Sequence, residues 1–119
     1  MKQLLPLLAL GAVALSLVAC DWDDDKYRHK PAEGMGALVV DNRTGGDLRV
    51  YVDQIEVGKV SAYKDRSFDL TGGVYRVVLE ERHGWANWRD DVDIMQSRLT
   101  VLDVARGTST RLDVSVFFD

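Results

Sequence analysis

From Met35 to Asp119 apolar and polar residues alternate with period two, and this alternation restricts the fold more than any other feature of the chain. In "DLRVYVD", Leu48, Val50 and Val52 share one face while Arg49, Tyr51 and Asp53 share the other. In "TRLDVSVFFD", Leu112, Val114, Val116 and Phe118 oppose Arg111, Asp113, Ser115 and Phe117. Successive side chains of a strand point to opposite faces, so each strip buries one face and wets the other. Similar runs occupy 37–41, 56–60, 66–70, 74–81, 87–94 and 99–105. Turn residues separate them: "NRTGG" at 42–46, "TGG" at 71–73, "RHG" at 82–84, "MQS" at 95–97 and "RGT" at 106–108. No window combines helical spacing with a cap. Seven to eight short strands at this spacing make a sandwich or a small barrel, and the expectation is an all-β, small antiparallel β-sandwich. Tyr75, Val77 and Leu79 are expected at its centre, opposite Val50, Val52, Val114 and Val116.

The first twenty residues carry a different message. Lys2 precedes an apolar run from Leu4 to Ala19, broken only by Pro6, Gly11 and Ser16. A charged start, an apolar middle and small residues at the end are the parts of a secretory signal peptide. The run is shorter than the roughly 20 apolar residues of a membrane-spanning helix. At its border stands the chain's only cysteine, in Leu17-Val18-Ala19-Cys20. These four residues resemble the lipobox of bacterial lipoproteins. The resemblance implies cleavage before Cys20, diacylglycerol on its sulfur and an N-acyl chain on its new amino terminus. Two or three acyl chains hold a protein stably, since each buried CH₂ contributes about 0.8 kcal/mol. In enteric bacteria an Asp after that cysteine is similar to a sorting signal for the inner membrane. Asp21 therefore points to the periplasmic face of the inner membrane rather than to the outer membrane.

Without residues 1–19 the chain has 14 Lys and Arg against 19 Asp and Glu, a net charge of −5. Nucleic-acid binders show basic patches, so nucleic acid is not an expected partner. Residues 21–34, "DWDDDKYRHKPAEG", lack apolar period and end at Pro31 and Gly34. The implied division is 1–19 signal peptide, 20–34 acylated Cys and flexible tether, and 35–119 sandwich. The acidic half of the tether is no EF-hand, because Lys26 and Ala32 fill the places that need Gly and Glu.

Within the alternating region, Val50-Tyr51-Val52-Asp53, Val57-Gly58-Lys59, Gly73-Val74-Tyr75-Arg76-Val77 and Gly84-Trp85 resemble the PEGA domain, a small β-sandwich of bacterial envelope proteins. Gln54 stands where that family has Gly, and Val60-Ser61 replaces its Thr-Pro. The resemblance implies a non-catalytic binding or spacer module and brings no catalytic residues.

Catalysis needs a positioned nucleophile, an acid–base pair or a metal. The thiol is assigned to lipid, and His29 and His83 have no second His or Cys at ligand spacing, so no metal or other cofactor is expected. Within the alternating region Asp90, Asp91 and Asp93 form the densest acidic group, read as a solvated face that also guards a sheet edge. Trp85 and Trp88 flank a turn, and Phe117 sits opposite the Phe118 face. These three aromatics are the candidate partner-binding surface, with Trp88, in phase with Val92 and Ile94, also placed in the core. The expectation is a monomeric, membrane-anchored, non-enzymatic module that engages an envelope protein or glycan. The alternative is a periplasmic inhibitor of a cell-wall-degrading enzyme, presenting "NRTGG" or "VSAYKDR" as a protruding loop.

Overall fold

A computed structural model describes residues 27–119. Cys20 and Asp21 lie outside the described residues. The chain forms eight strands: β1 Met35–Asn42, β2 Leu48–Val52, β3 Ile55–Val60, β4 Asp65–Thr71, β5 Gly73–Glu81, β6 Asn87–Ile94, β7 Leu99–Arg106 and β8 Leu112–Phe118. They build two four-stranded sheets, ordered β4-β1-β7-β8 and β3-β2-β5-β6. The all-β sandwich is antiparallel in every pairing but one: β1 and β7 run parallel, with Ala37 beside Leu99 and Val40 beside Leu102.

The main core lies between the sheets. Leu38, Val40, Leu102 and Val104 meet Val50, Val52, Val77 and Leu79, all of them buried. Val50 and Val52 are thus not opposite Leu79 and Val77 but beside them, as direct neighbours in the register of β2 with β5. The facing layer comes from β1 and β7. Tyr75 and Val114 pack partly against this core, whereas Val116 is 45% exposed. β8 is an edge strand, and Val116, Phe117 and Phe118 at its end are exposed.

A second cluster forms on the outer face of the first sheet. Ala37, Val39, Leu99 and Val101 would be a wet apolar strip, but Tyr27 covers them and is only 5% exposed. Its ring lies 6.3 Å from that of Phe117, and its hydroxyl donates to Asp41 Oδ2 at 2.6 Å. Burial and the Asp41 carboxylate push the Tyr27 phenol far above its usual range. Two further bonds fasten this strap: His29 Nε2 to Asp69 Oδ1 at 2.6 Å, and Ala32 N–H to Asp69 Oδ2 at 3.2 Å. Residues 27–34, placed in the tether by sequence, therefore pack against the sandwich.

Strand connections divide between two ends of the sandwich. Loops 43–47, 61–64, 82–86 and 107–111 lie at one end, joined by bonds such as Tyr63 N–H to Thr44 O, Arg82 N–H to Asp47 O and Asn87 N–H to Thr110 O. Buried Asn42 anchors this end. Its amide donates to Gly46 O at 2.8 Å and to Val60 O and Ser61 O at 3.2 Å, while its Oδ1 accepts from the backbone and hydroxyl of Thr44. At the other end the 95–98 turn crosses β1 so closely that a Cβ on Gly36 would sit 2.1 Å from Met95 O. The tight 53–54 turn holds Asp53 and Gln54 at φ of 49° and 72°, as a two-residue hairpin connection requires.

Candidate functional site

Trp85 is the most exposed large apolar residue described, at 83%. It sits on the β5–β6 connection, where Glu81 N–H bonds Ala86 O and the Glu81 carboxylate accepts from Ala86 N–H at 3.3 Å. Asn87 Nδ2 donates to Trp85 O at 3.3 Å. These bonds turn the chain sharply and leave the indole outside. A Cβ at Gly84 would lie 2.0 Å from Glu81 Oε1, so a side chain there would push that flexible carboxylate away from Ala86.

Beside Trp85 lies a concavity of about 310 Å³ lined by Arg49, Glu80, Glu81, Arg82 and Asn87. It continues onto the outer face of the second sheet as a wider hollow of about 500 Å³ among Arg49, Glu56, Lys59 and Arg82. Register explains the gathering: Lys59 and Glu80 both pair with Arg49, and Asn87 pairs with Glu80, so one row of outward side chains crosses all four strands. Lys59 and Arg82 both approach Asp47 Oδ2, at 3.7 and 3.9 Å. At such half-exposed sites ion pairs contribute little, at most about 1 kcal/mol. The cations are thus held in place yet open to a ligand. An exposed indole beside cations, carboxylates and an amide can stack on a planar or sugar face while hydrogen-bonding its edge.

The three predicted aromatics occupy three different places. Trp88 pairs with Leu79 and packs against the main core, in keeping with its phase to Val92 and Ile94. Phe117 lies on the outer face of the first sheet, under the edge of Tyr27. Arg111, which bridges Asn87 near Trp85, stands six positions before Phe117 along β8. At about 3.3 Å per residue this separates Trp85 from Phe117 by about 20 Å. They form no common patch.

Asp91 is bound by Arg76 at 2.7 Å, Asp90 accepts from the Asp91 N–H, and both stand on the exposed edge strand β6. Among the described residues no group of three or more His, Cys, Asp or Glu could hold a metal ion. Sequence reasoning missed Arg49, Lys59 and Arg82 as neighbours of Trp85, because only strand register brings them together. Tyr27 was missed too, although a signal existed: "ALVV" in β1 and "LTVL" in β7, broken only by Thr100, are near-continuous apolar runs, the mark of strands buried on both faces. No protein-family model matches the chain, and no curated protein matches it.

Proposed function

We propose that this chain is a bacterial lipoprotein, acylated at Cys20, whose β-sandwich is a non-catalytic binding module at the cell envelope. The module engages a glycan or protein through Trp85 and the adjoining Arg49–Arg82 hollow. The observation that carries this reading is Trp85, 83% exposed and held at the mouth of that hollow. Trp is enriched among the residues that carry binding energy at interfaces, where its apolar ring and polar N–H can both be used. The lipobox and the Asp21 signal support an anchor on the periplasmic face of the inner membrane. A photo-crosslinking residue at position 85, in the full chain in its own cells, tests the site. An adduct at 85 that is missing at Arg89 is expected, and equal or absent adducts at both would sink the proposal. Loss of palmitate labelling and of membrane association in Cys20→Ala tests the anchor.

One observation favours the alternative of a wall-enzyme inhibitor. Tyr63 is 73% exposed at a φ of 59°, on the loop "VSAYKDR" and beside Gly45 of "NRTGG". An inhibitor would lose capture of a muramidase in Tyr63→Ala, while a glycan binder would not.

A further inference from the structure

The exposed apolar residues are distributed unevenly between the two ends. Eight large apolar side chains are exposed among the described residues, and only Tyr63 and Trp85 stand at the end held by Asn42. The other six are Ile55, Val74, Met95, Val116, Phe117 and Phe118. Val74 follows the 72–73 bend, Met95 opens the 95–98 turn, and Phe118 pairs with Thr100 at the start of β7. Ile55 follows the 53–54 turn on the same half of the second sheet, where Asp53 bonds Arg76. The described chain begins on the outer face of the first sheet, where Tyr27 lies between Phe117 and Asp41.

Seven positions separate Cys20 from Tyr27, a reach of at most about 24 Å. We infer that the Val74–Met95–Phe118 end rests on the bilayer interface, leaving the Trp85 end facing away from the membrane. This rests on the reading of Cys20 as the lipid anchor. A tether this short holds the domain at an effective concentration on the order of millimolar. Contacts too weak to recruit a free domain then suffice to orient it. Phe and its aliphatic neighbours enter the interfacial layer, where an apolar ring gains and flanking polar groups stay wet. Asp93 and Asp119 lie exposed at the same end beside Lys30 and Arg98, so neither sign dominates and a neutral surface suffices. The orientation also presents the Arg49–Arg82 hollow to the compartment, away from lipid.

The test uses the full acylated chain in phosphatidylcholine vesicles, with an environment-sensitive fluorophore on a cysteine at one of four positions. Val74→Cys and Phe118→Cys report one end, Tyr63→Cys and Trp85→Cys the other. The ends lie about 25 Å apart on the strand rise, so a headgroup-level quencher lipid should quench the first pair at least about threefold more than the second. Val74→Asp with Phe118→Asp should remove that difference while the protein still floats with vesicles. A chain that floats but is quenched equally at both ends overturns the orientation alone. A chain that does not float overturns the anchor and the orientation with it. Shielding at 118 without quenching at 74 would place a second copy on β8 instead of lipid and would also overturn it.

Discussion

Asn42→Asp is the sharpest perturbation of the fold, because it changes one atom of a buried hub. The amide nitrogen of Asn42 faces three carbonyl oxygens, of Gly46, Val60 and Ser61, at 2.8, 3.2 and 3.2 Å. Aspartate keeps the oxygen that accepts from Thr44 and puts a second, anionic oxygen where the donor stood. Two donated hydrogens disappear, and a buried acceptor left unsatisfied costs about 1–3 kcal/mol. With the added cost of a desolvated charge, the loss should be about 3–5 kcal/mol. At roughly 4–8 °C per kcal/mol for a domain of this size, the melting temperature should fall by about 12–40 °C. The sign with pH follows from the same geometry. Burial against carbonyls favours the protonated acid, so the folded pKa of the new carboxyl rises above its unfolded value. Protonation then returns one donor, and the deficit should shrink as pH falls toward about 4. Urea denaturation of both chains at pH 4.5 and pH 7.5 measures it. A loss under about 1 kcal/mol that does not change with pH would refute the role given to the amide.

Three further outcomes follow from the strap and the turns. A chain starting at Met35 should be about 2–3 kcal/mol less stable than one starting at Tyr27, because the outer strip of Val39 and Val101 loses its cover; denaturant midpoints decide it. The hydrogen bond from His29 holds the Asp69 carboxyl below its ordinary range. Its contribution is therefore present above that range and lost as pH falls through the lowered value, so the Tyr27 ring resonance should shift below about pH 4, and Asp69→Asn should flatten that profile. Gln54→Gly should stabilise the domain by about 0.5–1 kcal/mol in thermal denaturation, since a left-handed φ strains every residue but glycine.

Much of this architecture is legible in the residues. The alternation around Val50, Val77 and Leu112 places those strands to within two residues of their observed bounds. Trp88 is readable as core from its phase with Val92 and Ile94. What is not legible depends on distant register. Nothing near Ala37 or Leu99 says that β1 and β7 lie side by side in parallel, and periodicity cannot tell Val50 beside Leu79 from Val50 opposite it. Asn42 reads as a turn residue, as Asn commonly is; its burial follows from three loops converging on one amide. Tyr27 falls in a stretch with no apolar period, because one aromatic can cover four neighbours without any repeat of its own. The hollow beside Trp85 draws on β2, β3 and β5, so no local motif announces it.

The parallel pairing of β1 with β7 has a consequence for how the chain reaches its fold. Ala37 finds Leu99 only after more than sixty intervening residues exist, so the centre of the first sheet is the last contact available. The β2–β3 and β5–β6 hairpins, by contrast, join neighbours in sequence. Closing a long loop costs entropy before its contacts repay it, which slows folding. The second sheet should therefore assemble first and serve as the template. Until β7 arrives, β1 waits with both faces apolar. Through that interval β1 is the segment that a chaperone would have most reason to hold.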